Sequence, residues 1–520
     1  MIIKLTPGNR VKALLLCIGW VALVTLSGCT SMKPMPASAQ DVLKSSREAL
    51  ISSQVGVEPI TQPLSMEEAM ARALKYNHNE RARRIEQSIA LNAWEAGKYD
   101  MLPRLLASAG YRTRDNDLIT RSRDSVTGLP SLAHPYISSE RDSMLTDLGV
   151  SWSMLDFAVG YFNAKQNADR FLIAAEHRRK AMHVLMRDVA IAFWRMASAQ
   201  KLLHDVKATI ALAEAAVADS TQAKAEGLRS PIDNLRYQRQ LLENIRLLST
   251  IEKDFASARA TLANLINAPL GLAFTVVEPA GTPNVAILDL PIERMEEAAL
   301  LQNAELKEQI YNQRIARTEV RKVLAKLFPH LTLSYDVKYS TDKFLINQQW
   351  SEAGLSLSQN LTNLLSAPVQ KRLASGGVAL ADERRMAAQM ALLAQVHVAR
   401  LGLASSFQQL QLADRIWEID QSIKKHTSNR AEAQTESKLA KIASDTATIV
   451  SMLRHYQALA EFQVASCTLQ STLGLEIDLT SVDQLSLERL TQEIATWQRA
   501  WQSGSLTLGT TVPGKNAGGS

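Results

Sequence analysis

Few residues in this 520-residue chain combine the types and spacing that chemistry requires. Cys29 follows Leu26-Ser27-Gly28 at the end of an apolar N-terminal run, a thiol placed where covalent modification could act just behind a leader. Glu226-Gly227-Leu228-Arg229-Ser230-Pro231-Ile232-Asp233 joins a glycine suited to a left-handed helix end, a hydroxyl cap, a first-turn proline and an N3 carboxylate. That order marks a tight turn between two helices. A second such turn is expected over Ser437 to Thr446, with Ser444 in the N-cap place and Asp445 beside it, although neither Gly nor Pro sharpens it.

Signatures of catalysis are missing from the sequence. It holds no phosphate-binding glycine loop, HExxH helix, CxxC pair or nucleophile elbow, so neither an enzyme nor a cofactor is expected. His177 and His183 are six apart and do not share a helix face, so no metal site is expected. Met182 with Met186, and Met386 with Met390, do stand at i and i+4. Soft-metal export is one reading of such pairs, and ordinary core filling is the commoner one. Cys17 leaves with the leader and Cys29 is modified, so Cys467 has no partner for an intramolecular disulfide and reads as a small apolar helix residue. Loss of Lys4, Arg10 and Lys12 with the leader lowers the formal charge of +6 to +3, and no Lys/Arg block remains. A nucleic-acid partner is therefore not expected.

The elements that would position these residues begin with the N-terminus. Lys4, Arg10 and Lys12 precede the short apolar run Ala13 to Leu26, an export signal too short to span a membrane. Residues 1–28 are read as a removed signal peptide and 29–63 as an acylated linker. The segment before Cys29 resembles the lipobox of bacterial lipoproteins, and Thr30 in place of Asp implies delivery to the outer membrane. Acyl chains add roughly 0.8 kcal/mol of anchoring per buried methylene.

The remainder says the same thing twice. Residues 64–275 are echoed by 290–480, with a linker at 276–289 and a C-terminal helix and disordered tail over 481–520. Each half reads helix, strand, strand, very long helix, long helix. The first helix is expected to run unbroken to Leu102 before Pro103, and its counterpart from Ile292 to Phe328 before Pro329. Strands are expected at about 103–115, 145–156, 329–341 and 350–361. After Pro329, Leu331, Leu333, Tyr335, Val337 and Tyr339 alternate with Thr332, Ser334, Asp336, Lys338 and Ser340, the period of a strand with one apolar and one wet face. Roughly ten residues suffice for a tilted transmembrane strand, while a soluble hairpin with one face on a core is the commoner source of such alternation taken by itself. Placement in lipid would fix the assembly. Four strands cannot close a barrel round a channel, and open edges in lipid leave unpaired groups costing several kcal/mol each. Several copies must share one barrel, and three would supply twelve strands.

The stretches between Gly160 and Gly227 and between Gly402 and Gly474 lack Gly and Pro, and are expected to be long helices packed as coiled coils. The loop from about Asn116 to Ser143 is charged, and Tyr136 with the Pro130 and Pro135 turns suggests partial order.

The lipobox, the duplication, the Pro-strand-strand hairpins and the Gly-Leu-x-Ser-x-x-Asp turn at Gly227 to Asp233 together resemble the TolC family of outer-membrane efflux and secretion ducts, over roughly residues 64–480. The resemblance implies a mainly α fold with transmembrane β: a homotrimeric twelve-stranded outer-membrane barrel continued by a periplasmic α-helical barrel. It implies a passive duct in tripartite efflux or type I secretion, lipid-anchored through Cys29. Its partners would be outer-membrane lipid, a periplasmic adaptor and an inner-membrane pump of RND or ABC type. Gly227, Leu228 and Ser230 match the adaptor-docking tip, while Arg229, Asp233 and Asp445 are carried over as an entrance latch. Ala447 and Val450 stand where some members carry paired acids beyond the second tip. The other reading is a periplasmic coiled-coil structural or adaptor lipoprotein, but the lipoyl-like half-motifs of adaptors are missing from the sequence.

Overall fold

A computed structural model describes residues 35–130, 135–225, 231–277, 285–433, 437–475, 482 and 484–504. Cys29 with its leader, Gly227 to Ser230 and the tail beyond Gly504 lie outside the described residues. The chain divides into two compact units that cut across both sequence repeats: one of Met1–Ala49, Trp94–Gln166 and Arg317–Ser375, the other of Leu50–Ala93, Asn167–Ala316 and Gly376–Ser520.

The first unit is organised round a four-stranded sheet. Strands β1 (Arg104–Arg112), β4 (Ser143–Ser153), β5 (His330–Ser340) and β6 (Gln349–Ser358) run antiparallel in that spatial order. A ribbon of β2 (Ile119–Thr120) and β3 (Tyr136–Ile137) occupies the long β1–β4 connection, where Arg141 pairs with Asp117 at 3.0 Å. Pro103 and Pro329 stand just before β1 and β5, where a residue without an amide and with a fixed φ discourages further helix. Register sorts the side chains into two faces. Ser108, Asp147 and Lys338 lie side by side on the polar face, and Ala107, Leu148 and Val337 on the apolar one. Gly149 leaves the Asp336 carboxylate room to lie across it: a Cβ there would stand 2.1 Å from that carboxylate and would make it move aside.

The second unit is helical, and the helices that lie in it or run through it repeat with matched lengths. Helices α2 (Met66–Tyr76) and α6 (Ile292–Gln302) have 11 residues each, and α3 (His78–Tyr99) and α7 (Ala304–Ala325) have 22. Helices α4 (Met154–Ala225) and α8 (Leu361–Glu432) both have 72, followed by α5 (Pro231–Leu265) with 35 and α9 (Lys438–Leu473) with 36. A flanking helix α1 spans Ala39–Ser53, and α10 spans Leu487–Gln502. Leu487, Leu490 and Ile494 of α10 bury against α2 and the middle of α4 in the main core cluster, and Trp501 joins a second one.

Three expectations need correction. The helices before Pro103 and Pro329 are each broken, at Asn77 and Asn303, which take extended backbone between two helices. The Asn77 amide donates to the Leu265 carbonyl at 2.9 Å while its oxygen accepts from the Asn79 and Glu80 amides. Asn303 likewise donates to the Thr472 carbonyl at 3.1 Å and caps Leu306. One side chain thus satisfies both a new helix start and the end of another helix. Helix α8 also begins well before Gly402, passing through Pro368, Gly376 and Gly377; the two latter glycines meet open space. Finally, the second turn is capped by Ser437, whose hydroxyl accepts from the Ala440 amide at 3.1 Å, so Ser444 and Asp445 lie inside α9.

Candidate functional site: strand edges and hairpin ends

Strands β1 and β6 are the outer edges of the sheet, and among the described residues each has one side without a strand partner. Every residue of β1 and nearly every residue of β6 is exposed. Both faces are therefore open, one apolar and one polar. Tyr111 and Tyr339 are exposed toward the loop end of the apolar face, and Tyr335 is exposed nearer its helical end. At its helical end Trp152 meets Phe157 at 5.8 Å. Aromatics near both ends of an apolar strand face match the two interfaces of a bilayer.

The polar face is held by its own network. Lys338 pairs with Glu352, which also accepts from the Trp350 indole at 3.0 Å. Asp336 lies over Gly149, and Ser334 over Gly354, so small residues keep room for β5 side chains.

At the hairpin ends, Asn234 of α5 is 1% exposed and donates to the Ser220 carbonyl of α4 at 2.9 Å, tying the two helices together short of the turn. Asp233 falls in the first turn of α5. Lys438, the first residue of α9, reaches Asp219 of α4 at 2.8 Å, and that hydrogen bond holds the lysine above its usual range. Asp445 is buried in α9 with Lys424 of α8 at 3.6 Å, and Lys424 also stands 4.0 Å from Asp205 of α4. The structure thus joins Asp445 to Lys424 within one chain and does not bring it to the turn.

On α8, Leu412, Ile416, Ile419 and Ile423 recur at steps of four, three and four and remain about half exposed. Such a seam is built to meet another helix. Elsewhere the chemistry is quiet. Cys467 is buried and its thiol is pushed up to about 12 by that burial. Burial, with Arg179 nearby, depresses His183 to about 4 and keeps it neutral. Among the described residues no group of three metal-binding side chains gathers.

No protein-family model and no curated protein matches the sequence. Solved structures do match. The CmeC outer membrane channel of Campylobacter jejuni aligns with a TM-score of 0.62 at 10% identity, covering 83% of this chain and 89% of that one. The open state of the Neisseria gonorrhoeae MtrE outer membrane channel gives 0.58 at 15% identity, covering 79% and 89%. The outer membrane protein VceC of Vibrio cholerae gives 0.58 at 12%, covering 79% and 97%. The chain has the outer-membrane channel fold.

Within this channel fold, sequence reasoning missed Lys438, Asp219, Lys424 and Asp205. Only the helix start after Ser437 carried a local signal. The ion pairs join helices far apart in sequence, so no spacing reveals them.

Proposed function

We propose that this chain is one subunit of a passive outer-membrane conduit for efflux or type I secretion. It works as a homotrimer with a periplasmic adaptor and an inner-membrane pump of RND or ABC type. The observation that carries this reading is the pair of unpartnered edges, β1 and β6, on a sheet exposed on both faces. In lipid, unpaired backbone groups cost several kcal/mol each, so β1 of one copy must pair with β6 of the next until the ring closes. Three copies give twelve strands, enough to leave a lumen lined by the polar face. The α8 seam finds its cover in the same assembly.

Cys29, freed of residues 1–28, carries the covalent lipid. Gly227, Leu228 and Ser230 meet the adaptor, and Arg229 and Asp233 latch the entrance. Asp445 takes part through Lys424, its partner in the same chain. No cofactor enters this scheme: substrates pass unchanged and the pump supplies the energy.

The test is electrophoretic and electrical. Unheated purified protein should run in detergent gels as an oligomer of about three chains, collapse to a monomer on boiling and conduct ions across a planar bilayer. A species that runs as a monomer in the cold and never conducts overturns the reading.

A further inference from the structure

The helical unit contains a cavity that passive conduction does not require. It measures about 730 Å³ and lies among α4, α5, α8 and α9. Small-molecule sites span about 300–1,000 Å³. Trp194, Phe255 and Tyr456 line it and are buried, with the Trp194 and Tyr456 rings 6.3 Å apart. Its exposed charged residues are Arg195, Asp254 and Glu461, and neither carboxylate has an ion-pair partner among the described residues.

Two details point to a ligand. Trp194 is only 7% exposed, yet among the described residues its indole N–H meets no hydrogen-bond acceptor. Buried donors are normally satisfied, so this one fits an acceptor brought from outside. Gly402 of α8 also lines the cavity, and a Cβ built there meets nothing within 4 Å. Glycine weakens a helix interior, and here no close neighbour demands it. Its missing side chain leaves volume open.

We propose that this cavity binds a small aromatic cation bearing a hydrogen-bond acceptor, and that compounds of this class are cargo of the conduit, a step that rests on the function proposed above. Two carboxylates against one guanidinium leave the rim net negative. Aromatic ring faces attract cations, and the indole N–H selects the acceptor.

The experiment uses the purified full-length protein in nanodiscs, with tetramethylrhodamine methyl ester as probe. That dye is a fused-ring cation with an ester carbonyl, and fluorescein offers a related ring system with the opposite charge. Fluorescence anisotropy should show saturable rhodamine binding, with fluorescein weaker by about tenfold or more. The exposed pair Asp254→Asn with Glu461→Gln should weaken rhodamine by about tenfold, Trp194→Phe by several-fold, and Gly402→Leu should abolish binding by filling the space. Equal binding of the two dyes, or no response to the Asp254→Asn/Glu461→Gln pair, overturns the proposal. So does an assembled trimer that binds neither dye, which would mean a second copy covers the cavity. Gel mobility and conductance on the same samples separate the two readings. A conducting trimer without rhodamine binding sinks the cargo assignment alone, whereas a non-conducting monomer sinks the conduit.

Discussion

The two repeats share a skeleton but not its chemistry. At the third residue of α3 stands Glu80, 3% exposed, with Arg178 at 2.9 Å and Arg84 at 3.7 Å. At the third residue of α7 stands Leu306, buried in an apolar cluster. The left-handed residue after each returning helix is Asn267 in the first half, with φ 55°, and Gly474 in the second, with φ 69°. Asn267 uses its side chain to reach the Ser53 carbonyl at 2.8 Å. Gly474 can carry none, since a Cβ there would sit 2.4 Å from the Gln302 carbonyl carbon. Backbone geometry was duplicated, and each copy then filled it by its own means.

That comparison can be broken by exchanging side chains between halves, read as thermal or denaturant stability of the purified protein in detergent. The largest effect is expected for Glu80→Leu, which removes the buried carboxylate that two arginines share and should cost about 3–5 kcal/mol; Leu306→Glu, burying a lone carboxylate, should be comparably damaging. A neutral Glu80→Leu would mean that the buried pair is not holding the first half together. Next comes Gly474→Ala at about 2–4 kcal/mol, from backbone strain plus collision with Gln302, whereas Asn267→Gly should stay near 1 kcal/mol. Equal losses at the two sites would contradict the difference in space.

Asn77→Ala and Asn303→Ala should each cost about 1–3 kcal/mol, because both lose a cap and orphan a carbonyl. Here the halves should agree, and a gap between them would show that only one break bears weight. The smallest effect at neutral pH belongs to His183, whose counterpart along α8 is Met390. Its folded pKa, near 4, lies below the ordinary 6.5. The unfolded chain therefore binds the proton first. Stability is full above about 6.5 and declines as pH falls toward about 4. His183→Met should flatten that decline in a series of melts across the window.

Much of the fold was legible in the sequence because its signals are periodic. Alternation after Pro329 is strong enough to give both the strand and its wet face, and long runs without Gly or Pro announced rods. What escaped was set by contacts between distant segments. Asn77 and Asn303 look like ordinary polar helix residues until Leu265 and Thr472 arrive to accept their amides. Ser437 and Ser444 are equal candidates by type, and only backbone geometry selects the first. Gly402 bounded the expected second rod but is carried inside α8 with Gly376 and Gly377, because a rod supported elsewhere tolerates a cost of about 0.5–1 kcal/mol per glycine. The hairpin chemistry was the least legible, since Lys438 with Asp219 and Lys424 with Asp445 are pairings of charge across helices.

Equal length in the two longest helices also sets an angular condition. A helix turns about 100° and rises about 1.5 Å with every residue, so one residue inserted in α4 ahead of Asp219 would swing that carboxylate most of a third of a revolution away from Lys438. Both rods hold 72 residues, so the same condition falls on each hairpin alike. In such a molecule single-residue insertions should be far less forgivable than substitutions, and compensation should come only from a matching deletion in the same rod.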